Sequence, residues 1–143
     1  MKIYLDNCCY NRPYDDQRSI FNFVETEGKL MIQQMIKDKT LEMVWSDVLD
    51  FENNDNPFEE RRIEIAQWRE LASAIIELND IIIENARNLM TLGLRQKDAS
   101  HIACAIYANT DYFITVDKKI LNKQIKDIIV INPLDFLRRN LND

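Results

Sequence analysis

The sequence predicts an α/β fold, rich in helix, in which a short, twisted parallel sheet is flanked by helices. Short apolar runs typical of strands alternate along the chain with longer segments typical of helices. Two of the apolar runs end on an aspartate, Asp6 near the N-terminus and Asp117 in the second half. Alternation of this kind implies right-handed β-α-β crossovers, and these crossovers join parallel strands.

The elements predicted in the first half follow one another closely. They are a buried strand at 2–6, a loop at 7–17, a helix at 19–37, a strand at 41–45, a short helix capped by Ser46 and ending near Asn53, and a long helix at 58–76. The apolar residues at helical spacing are Ile20, Val24, Met31 and Met35 in the first long helix, and Ile65, Trp68, Ala72 and Ile75 in the second. The run Asn-Asn-Asp-Asn-Pro at 53–57 separates the short helix from the long one.

The second half predicts four further helices and two further strands. Its elements are a helix at 81–92 ended by Gly93, a helix opening near Asp98, a strand at 111–115, a short helix from Lys118, a strand at 128–131 and a last helix opened by Pro133. Strands are few and short, so we expect helix to dominate.

Composition favours one domain spanning residues 1–143, with a single core. No apolar run approaches the ~20 residues of a membrane helix, and no secretory signal is recognisable. Three cysteines, with Cys8 and Cys9 adjacent, do not form a disulfide framework, which predicts reduced thiols and a cytoplasmic location.

The net charge of −6 is unusual for a sequence-independent nucleic-acid binder. It does not exclude a nuclease, because bound divalent cations invert the field of an acidic cluster.

Four acidic residues are the candidate chemistry-bearing groups. Asp6 and Asp117 follow predicted strands, Asp98 opens a predicted helix, and Glu52 lies on the short helix after the second strand. Parallel sheets bind ligands at the carboxyl ends of their strands, where the strand order reverses. Carboxylate oxygens suit Mg²⁺ or Mn²⁺, and such ions support hydrolysis of phosphodiester bonds. We therefore expect these four acids to converge on a metal site.

The chain resembles the PIN-domain nucleases over nearly its whole length. The resemblance is carried, in the family's order, by the segments at 3–6, 45–52, 86–89, 97–103, 113–117 and 130–137. It implies a three-layer α/β/α sandwich and a metal-dependent endoribonuclease, commonly the VapC-like toxin of a bacterial toxin–antitoxin pair. In one respect the chain departs from the family: Cys8 stands where a Ser or Asn is frequent, two residues after the first aspartate.

By this resemblance, Asp6, Glu52, Asp98 and Asp117 are the metal-binding and catalytic acids, with Mg²⁺ or Mn²⁺ as cofactor. The implied partners are an RNA substrate, an antitoxin protein and a second copy of the chain in a homodimer, with no membrane. Asn7 is expected to orient a phosphate or a metal-bound water, and Thr115 to be a hydrogen-bonding neighbour of Asp117.

Simpler interpretations stay open for several of these residues. Asp98 and Asp117 also fit helix capping, which favours aspartate without any metal. Asp50 is an alternative to Glu52 if the short helix has a different register. Asp111 precedes its strand and is expected at the opposite edge of the sheet. His101, the only histidine, is either a general base or, as we prefer, a buried side chain hydrogen-bonded within the fold.

The function also has alternatives. A catalytically silent PIN-like module that binds nucleic acid or protein would need none of the four acids for turnover. A toxin whose pocket is filled by its antitoxin would be silent for another reason. Arg12, Arg95, Lys97, Lys118 and Lys119 are candidate contacts to an RNA backbone, although most such cations are merely solvated.

Overall fold

A parallel sheet of five strands forms the centre of the computed structural model, which describes residues 1–141. The strands are β1 (Lys2–Leu5), β2 (Glu42–Ser46), β3 (Ala74–Ile76), β4 (Tyr112–Ile114) and β5 (Ile129–Ile131). Their order across the sheet is β3-β2-β1-β4-β5, and every neighbouring pair is parallel. The order reverses between β1 and β4, so the sheet has a switch point there.

Helices cover the sheet and complete the three-layer α/β/α architecture. They are α1 (Asn7–Asn11), α2 (Ile20–Lys37), α3 (Asp47–Asn54), α4 (Glu59–Gln67), α5 (Asp80–Met90), α6 (Gln96–Tyr107), α7 (Lys118–Leu121) and α8 (Pro133–Asn140), with 3₁₀ turns at Arg12–Tyr14 and Trp68–Leu71. Helix α6 packs against β2, β4 and α5, while α2 packs against α8. No helix within residues 1–141 is both long enough and apolar enough to span a membrane.

Local sequence signals explain where several helices begin. Ser19, Ser46, Asn79 and Asn132 each cap a helix, because their side-chain oxygens accept a hydrogen bond from a backbone N–H in the first turn. Pro133 occupies the first turn of α8, where its missing N–H costs nothing. After α5, Gly93 adopts a φ of 93°, a left-handed conformation that glycine tolerates best.

The helical segment expected at 58–76 is wrong in its second half. Helix α4 ends at Gln67, a 3₁₀ turn follows, and residues 74–76 form strand β3 beside β2. The prediction failed because Trp68, Ala72 and Ile75 keep helical spacing by coincidence. The β-branched pair Ile75-Ile76 packs as a strand once it pairs with β2. The sheet consequently has a fifth, edge strand that the sequence did not reveal.

Two smaller expectations also needed correction. The loop expected at 7–17 contains α1 and a 3₁₀ turn, because Asp6 caps a helix immediately after β1. The buried face of α2 is only partly the expected one. Met35 packs against the core, but Ile20 and Met31 are exposed, whereas Ile32 and Ile36 belong to the core. Gly28 lies on the buried side, where a Cβ atom would meet Leu134 and Pro133 of α8 at 3.4 Å.

Candidate metal centre

Two of the four candidate acids lie just beyond the carboxyl ends of the central strands, and the other two lie on neighbouring helices. Asp6 follows β1 and caps α1, and Asp117 follows β4 by three residues and caps α7. Glu52 lies on α3, the helix that leaves β2, and Asp98 lies in the first turn of α6. Since β1 and β4 flank the switch point, the acids gather at the place where such sheets bind ligands.

Asp6 is the most buried of the four, with 5% of its surface exposed. Its Oδ1 accepts a hydrogen bond from the backbone N–H of Asn7 at 2.8 Å. Its Oδ2 accepts one from Thr115 Oγ1 at 2.7 Å and a weaker one from Cys8 Sγ at 3.3 Å. Burial raises the pKa of Asp6, although His101 and these donors oppose the shift. A nearby cation would stabilise the ionised carboxylate.

Glu52 faces Asp6 and is held by two side chains. Asn7 Nδ2 donates a hydrogen bond to Oε2 at 2.9 Å, and Nε2 of His101 lies in very short contact with Oε1. Burial acts to raise the pKa of Glu52, but the hydrogen bonds from His101 and Asn7 outweigh it and the pKa lies below its usual value. Glu52 is therefore an ionised carboxylate within a largely buried setting.

Asp98 and Asp117 are joined by one arginine. Nε of Arg95 lies 3.2 Å from Oδ2 of Asp98, and Nη2 lies 3.8 Å from Oδ2 of Asp117. The Arg95 side chain is 71% exposed. Capping accounts for part of the Asp117 geometry, because its Oδ1 accepts a hydrogen bond from the backbone N–H of Lys119 at 2.9 Å. Asp98 is 9% exposed and lines the same surface depression as Glu52.

The group formed by Asp6, Glu52 and His101 has the spacing of a metal site. One potential ligand atom from each lies within 4.8 Å of the others. Two oxygens that bind one Mg²⁺ at about 2.1 Å lie at most about 4.2 Å apart, so small side-chain adjustments would suffice. The buried Oδ1 of Asn7 beside this group has no hydrogen-bond partner within residues 1–141. The carboxylate donors and this free acceptor fit a hydrated divalent cation.

Two residues support the acids from the end of β4 and the start of α1. Thr115 donates to Asp6 and accepts a hydrogen bond from the backbone N–H of Asp117 at 3.1 Å, so it connects two of the acids. Cys8 contacts both Asp6 and Thr115 through its sulfur. A hydrogen bond with Cys9 and burial raise the pKa of Cys8 well above its usual value, so this thiol stays protonated. All three cysteines are free.

A groove of about 700 Å³ begins at Asp117. Phe21, Val116 and Leu121 contribute apolar surface to it, and Arg12, Lys118 and Lys119 contribute positive charge. Phe21 is 76% exposed although it is a large aromatic residue. Arg95 and Lys97 lie on the other side of the acids, in a depression of about 410 Å³ shared with Glu52 and Asp98.

The structure also settles the positions of the alternatives. Asp50 faces away from the acids, because its Oδ1 accepts a hydrogen bond from Trp45 Nε1 and its Oδ2 pairs with Arg69. Asp111 lies at the opposite edge of the sheet, where it accepts a hydrogen bond from the backbone N–H of Lys2 at 2.9 Å. His101 is fully buried and hydrogen-bonded within the fold, as preferred from the sequence.

The sequence did not reveal two residues that are connected to Glu52 through His101. Tyr4 is hydrogen-bonded to His101, and Ser46 in turn to Tyr4, although both had been assigned only to a strand and a helix cap. Their positions along the two strands are the sequence signal from which they could have been found. Tyr4 lies on β1 two residues before Asp6, and Ser46 is the last residue of the adjacent strand, so both approach the carboxyl edge of the sheet.

No protein-family model and no curated protein matches the sequence. Among solved structures, the chain is similar to a chain of VapBC2 from Rickettsia felis, a complex crystallised with a DNA fragment from its promoter. The similarity has a TM-score of 0.57 at 15% sequence identity, and it covers 92% of this chain and 98% of the other. At this identity the comparison concerns the fold, and it confirms the PIN-like three-layer α/β/α sandwich.

Proposed function

We propose that this protein is a Mg²⁺- or Mn²⁺-dependent endoribonuclease that hydrolyses RNA phosphodiester bonds, with Asp6, Glu52, Asp98 and Asp117 as its metal-binding acids. The observation that carries the proposal is the approach of Asp6 and Glu52 oxygens at the switch point of a PIN-like sheet. A bound metal would supply an activated water and stabilise the attacking and leaving oxygens of the phosphodiester.

The residues around the acids have separate tasks in this proposal. Thr115 and the backbone N–H of Asn7 fix the carboxylate of Asp6, and Asn7 also fixes that of Glu52 through its side-chain amide. The free Oδ1 of Asn7 would accept a hydrogen bond from a water bound at the site. Asp98 and Asp117, whose two negative charges share the single positive charge of Arg95, would release it when a divalent cation binds.

The groove beside Asp117 supports RNA as the substrate. Its exposed Phe21 offers a face on which a base can stack, and Lys118 and Lys119 can contact phosphates. The groove also contains the carboxylates of Glu25 and Asp117. Arg12 lies 4.0 Å from Glu25, and a bound metal would compensate Asp117. The similarity to a chain of VapBC2 further supports a toxin role with an antitoxin partner, and reduced thiols support a cytoplasmic location.

One observation favours the second function, a catalytically silent PIN-like binding module. Arg95 already compensates two of the four acids, so Asp98 and Asp117 have a partner without any metal. In that case the acids would serve the fold or bind a basic segment of a protein partner. Metal binding and turnover distinguish this function from the nuclease.

The decisive experiment compares the wild type with Asp98→Asn. We expect Mn²⁺ titration by calorimetry to give saturable binding to the wild type that is lost in the variant. Cleavage of a mixed-sequence single-stranded RNA should fall at least about a hundredfold in the same variant. Asp111→Asn removes the same charge at the opposite edge of the sheet and is the matched control. Unchanged cleavage by Asp98→Asn would reject the nuclease assignment, and absence of Mn²⁺ binding by the wild type would favour the silent module.

A further inference from the structure

A buried chain of hydrogen bonds ends at Glu52. Tyr4 Oη lies 2.5 Å from Ser46 Oγ and 2.6 Å from Nδ1 of His101. Nε2 of the same imidazole contacts Oε1 of Glu52. Tyr4, Ser46 and His101 have no exposed surface, so the chain runs through the core from β2 and β1 to the edge of the site.

The acceptor at the end of this chain fixes the direction of its last hydrogen bond. A carboxylate oxygen that receives a hydrogen bond from the ring requires a proton on Nε2 of His101, so we assign one there. Nδ1 is hydrogen-bonded to the Tyr4 hydroxyl, which is in turn hydrogen-bonded to Ser46 Oγ, so both ring nitrogens are held. Each polar atom of the chain has a partner.

Glu52 is clamped from two sides. His101 on α6 donates to Oε1, and Asn7 on α1 donates to Oε2 at 2.9 Å. One donor on each oxygen fixes the rotation of the carboxylate plane and leaves further lone pairs free on both oxygens. Those lone pairs are available to bind a metal that Asp6 would also bind. One ligand atom of Asp6 lies within 4.8 Å of one of Glu52.

We infer that His101, itself held by Tyr4, is a positioning residue that fixes Glu52 for metal binding and is neither a metal ligand nor a proton-transfer group. The inference rests on the metal site of the proposed function. A ligand role would require Nε2 to leave Glu52, and both ring nitrogens are already engaged in a fully buried ring. A general-base role would require contact with solvent or substrate, which a side chain with no exposed surface lacks.

Two substitutions of the histidine separate positioning from packing. The side-chain amide nitrogen of Gln reaches approximately as far as Nε2, whereas that of Asn reaches only as far as Nδ1. We expect His101→Asn to weaken Mn²⁺ binding by about 10- to 100-fold, and His101→Gln to restore a large part of the loss. Equal losses in the two variants would indicate a role in packing alone and overturn the inference.

A double-mutant cycle tests whether His101 acts through Glu52. In a Glu52→Gln background, His101→Asn should cause no further loss of Mn²⁺ affinity, because the group being positioned is gone. Additive losses would show that His101 contacts the metal independently and would overturn the inference. Thermal melting curves identify the conditions under which every variant is folded, and the Mn²⁺ affinities are compared only under those conditions.

A metal-free measurement on the wild type covers the case in which the variants do not fold. Nitrogen-15 NMR should show a proton on Nε2 of His101 that is protected from exchange; a ring with no proton on Nε2 would overturn the inference. Absence of Mn²⁺ binding by the wild type would reject the proposed function and this role with it. Mn²⁺ binding that is lost in Asp98→Asn but unchanged in His101→Asn would reject the inference alone.

Discussion

Arg95 forms an ion pair with Asp98, three residues further along the chain, with Nε 3.2 Å from Oδ2. The same guanidinium reaches Asp117, at 3.8 Å. Its hydrogen bond with Asp98 raises the pKa of Arg95 further, so its charge is permanent. An exposed cation thus lies beside two acids, at a position that a bound metal would also occupy.

We predict that Arg95→Gln binds Mn²⁺ about two- to fivefold more tightly than the wild type. An exposed ion pair is weak, so displacing the guanidinium from Asp98 costs little. Calorimetry at fixed ionic strength measures the change. Arg87→Gln is the control, since Arg87 forms the same kind of pair with Glu84 on α5. Weaker binding by Arg95→Gln would mean that Arg95 organises the acids instead of competing with the metal.

Much of this site followed from the sequence, because its positions depend on strand ends. Asp6 and Asp117 were expected at the carboxyl edge since each follows an apolar run, and both lie there. The parallel sheet was predicted correctly from the alternation of strands and helices, and the PIN-like fold from the resemblance of the chain to that family. The ends of these two apolar runs are local features, so the sequence suffices to locate them.

The unpredicted features depend on packing between distant elements. Residues 74–76 form a strand only because β2 offers its edge, and their spacing alone favours helix. The chain from Ser46 through Tyr4 to His101 joins residues 42 and 97 positions apart. Lys29 and Gln33 are buried on α2, although neither belongs to the apolar face that helical spacing predicted. In each case tertiary contacts outweigh the local pattern.

We predict that Thr115→Val lowers both the stability of the protein and its affinity for Mn²⁺. The hydroxyl of Thr115 is fully buried and bonds to Asp6 and to the backbone N–H of Asp117. Its removal leaves that N–H without its acceptor, and leaves Asp6 Oδ2 with only the weaker hydrogen bond from Cys8. The free energy of unfolding should fall by about 1–3 kcal/mol, measured by urea titration.

Thr110→Val is the matched control for that substitution. Thr110 is also buried, but its Oγ1 has no hydrogen-bond partner within residues 1–141. Replacing that hydroxyl by a methyl group should leave the stability unchanged or raise it. Equal losses in the two variants would show that volume and shape, not the hydrogen bonds of Thr115, cause the effect.

We predict that Phe21→Ala weakens the binding of single-stranded RNA by about five- to tenfold, because stacking of one base on an aromatic ring contributes about 1–3 kcal/mol. The measurement is fluorescence anisotropy of a labelled oligonucleotide in the Asp98→Asn background, in which no cleavage interferes. Phe58→Ala removes another exposed ring, outside the groove, as the control. If both substitutions weaken binding equally, Phe21 has no special role in holding RNA.

A buried lysine predicts an unusual dependence of stability on pH. Lys29 is 5% exposed, with its Nζ 5.9 Å from the centre of the Tyr10 ring. Burial lowers the pKa of Lys29 to about 8. Between that value and the ordinary lysine pKa, the unfolded chain binds more protons than the folded one, so this group makes stability rise with pH. Below pH 8 both states are protonated and the full cost of burying the charge remains.

Lys29→Met should therefore stabilise the protein at pH 7, by about 3 kcal/mol, and by only about 1 kcal/mol at pH 9.5. The quantity to measure is the difference in unfolding free energy between variant and wild type. Other groups titrate in this range in the unfolded chain. One is Cys104, whose pKa burial raises to about 12 in the folded protein. Their contributions are the same in variant and wild type, so they cancel in that difference. Lys37→Met is the control, since Lys37 lies on the same helix over the Trp68 ring but is exposed. A gain for Lys29→Met that did not shrink with rising pH would mean that the ammonium group is not the source of the cost.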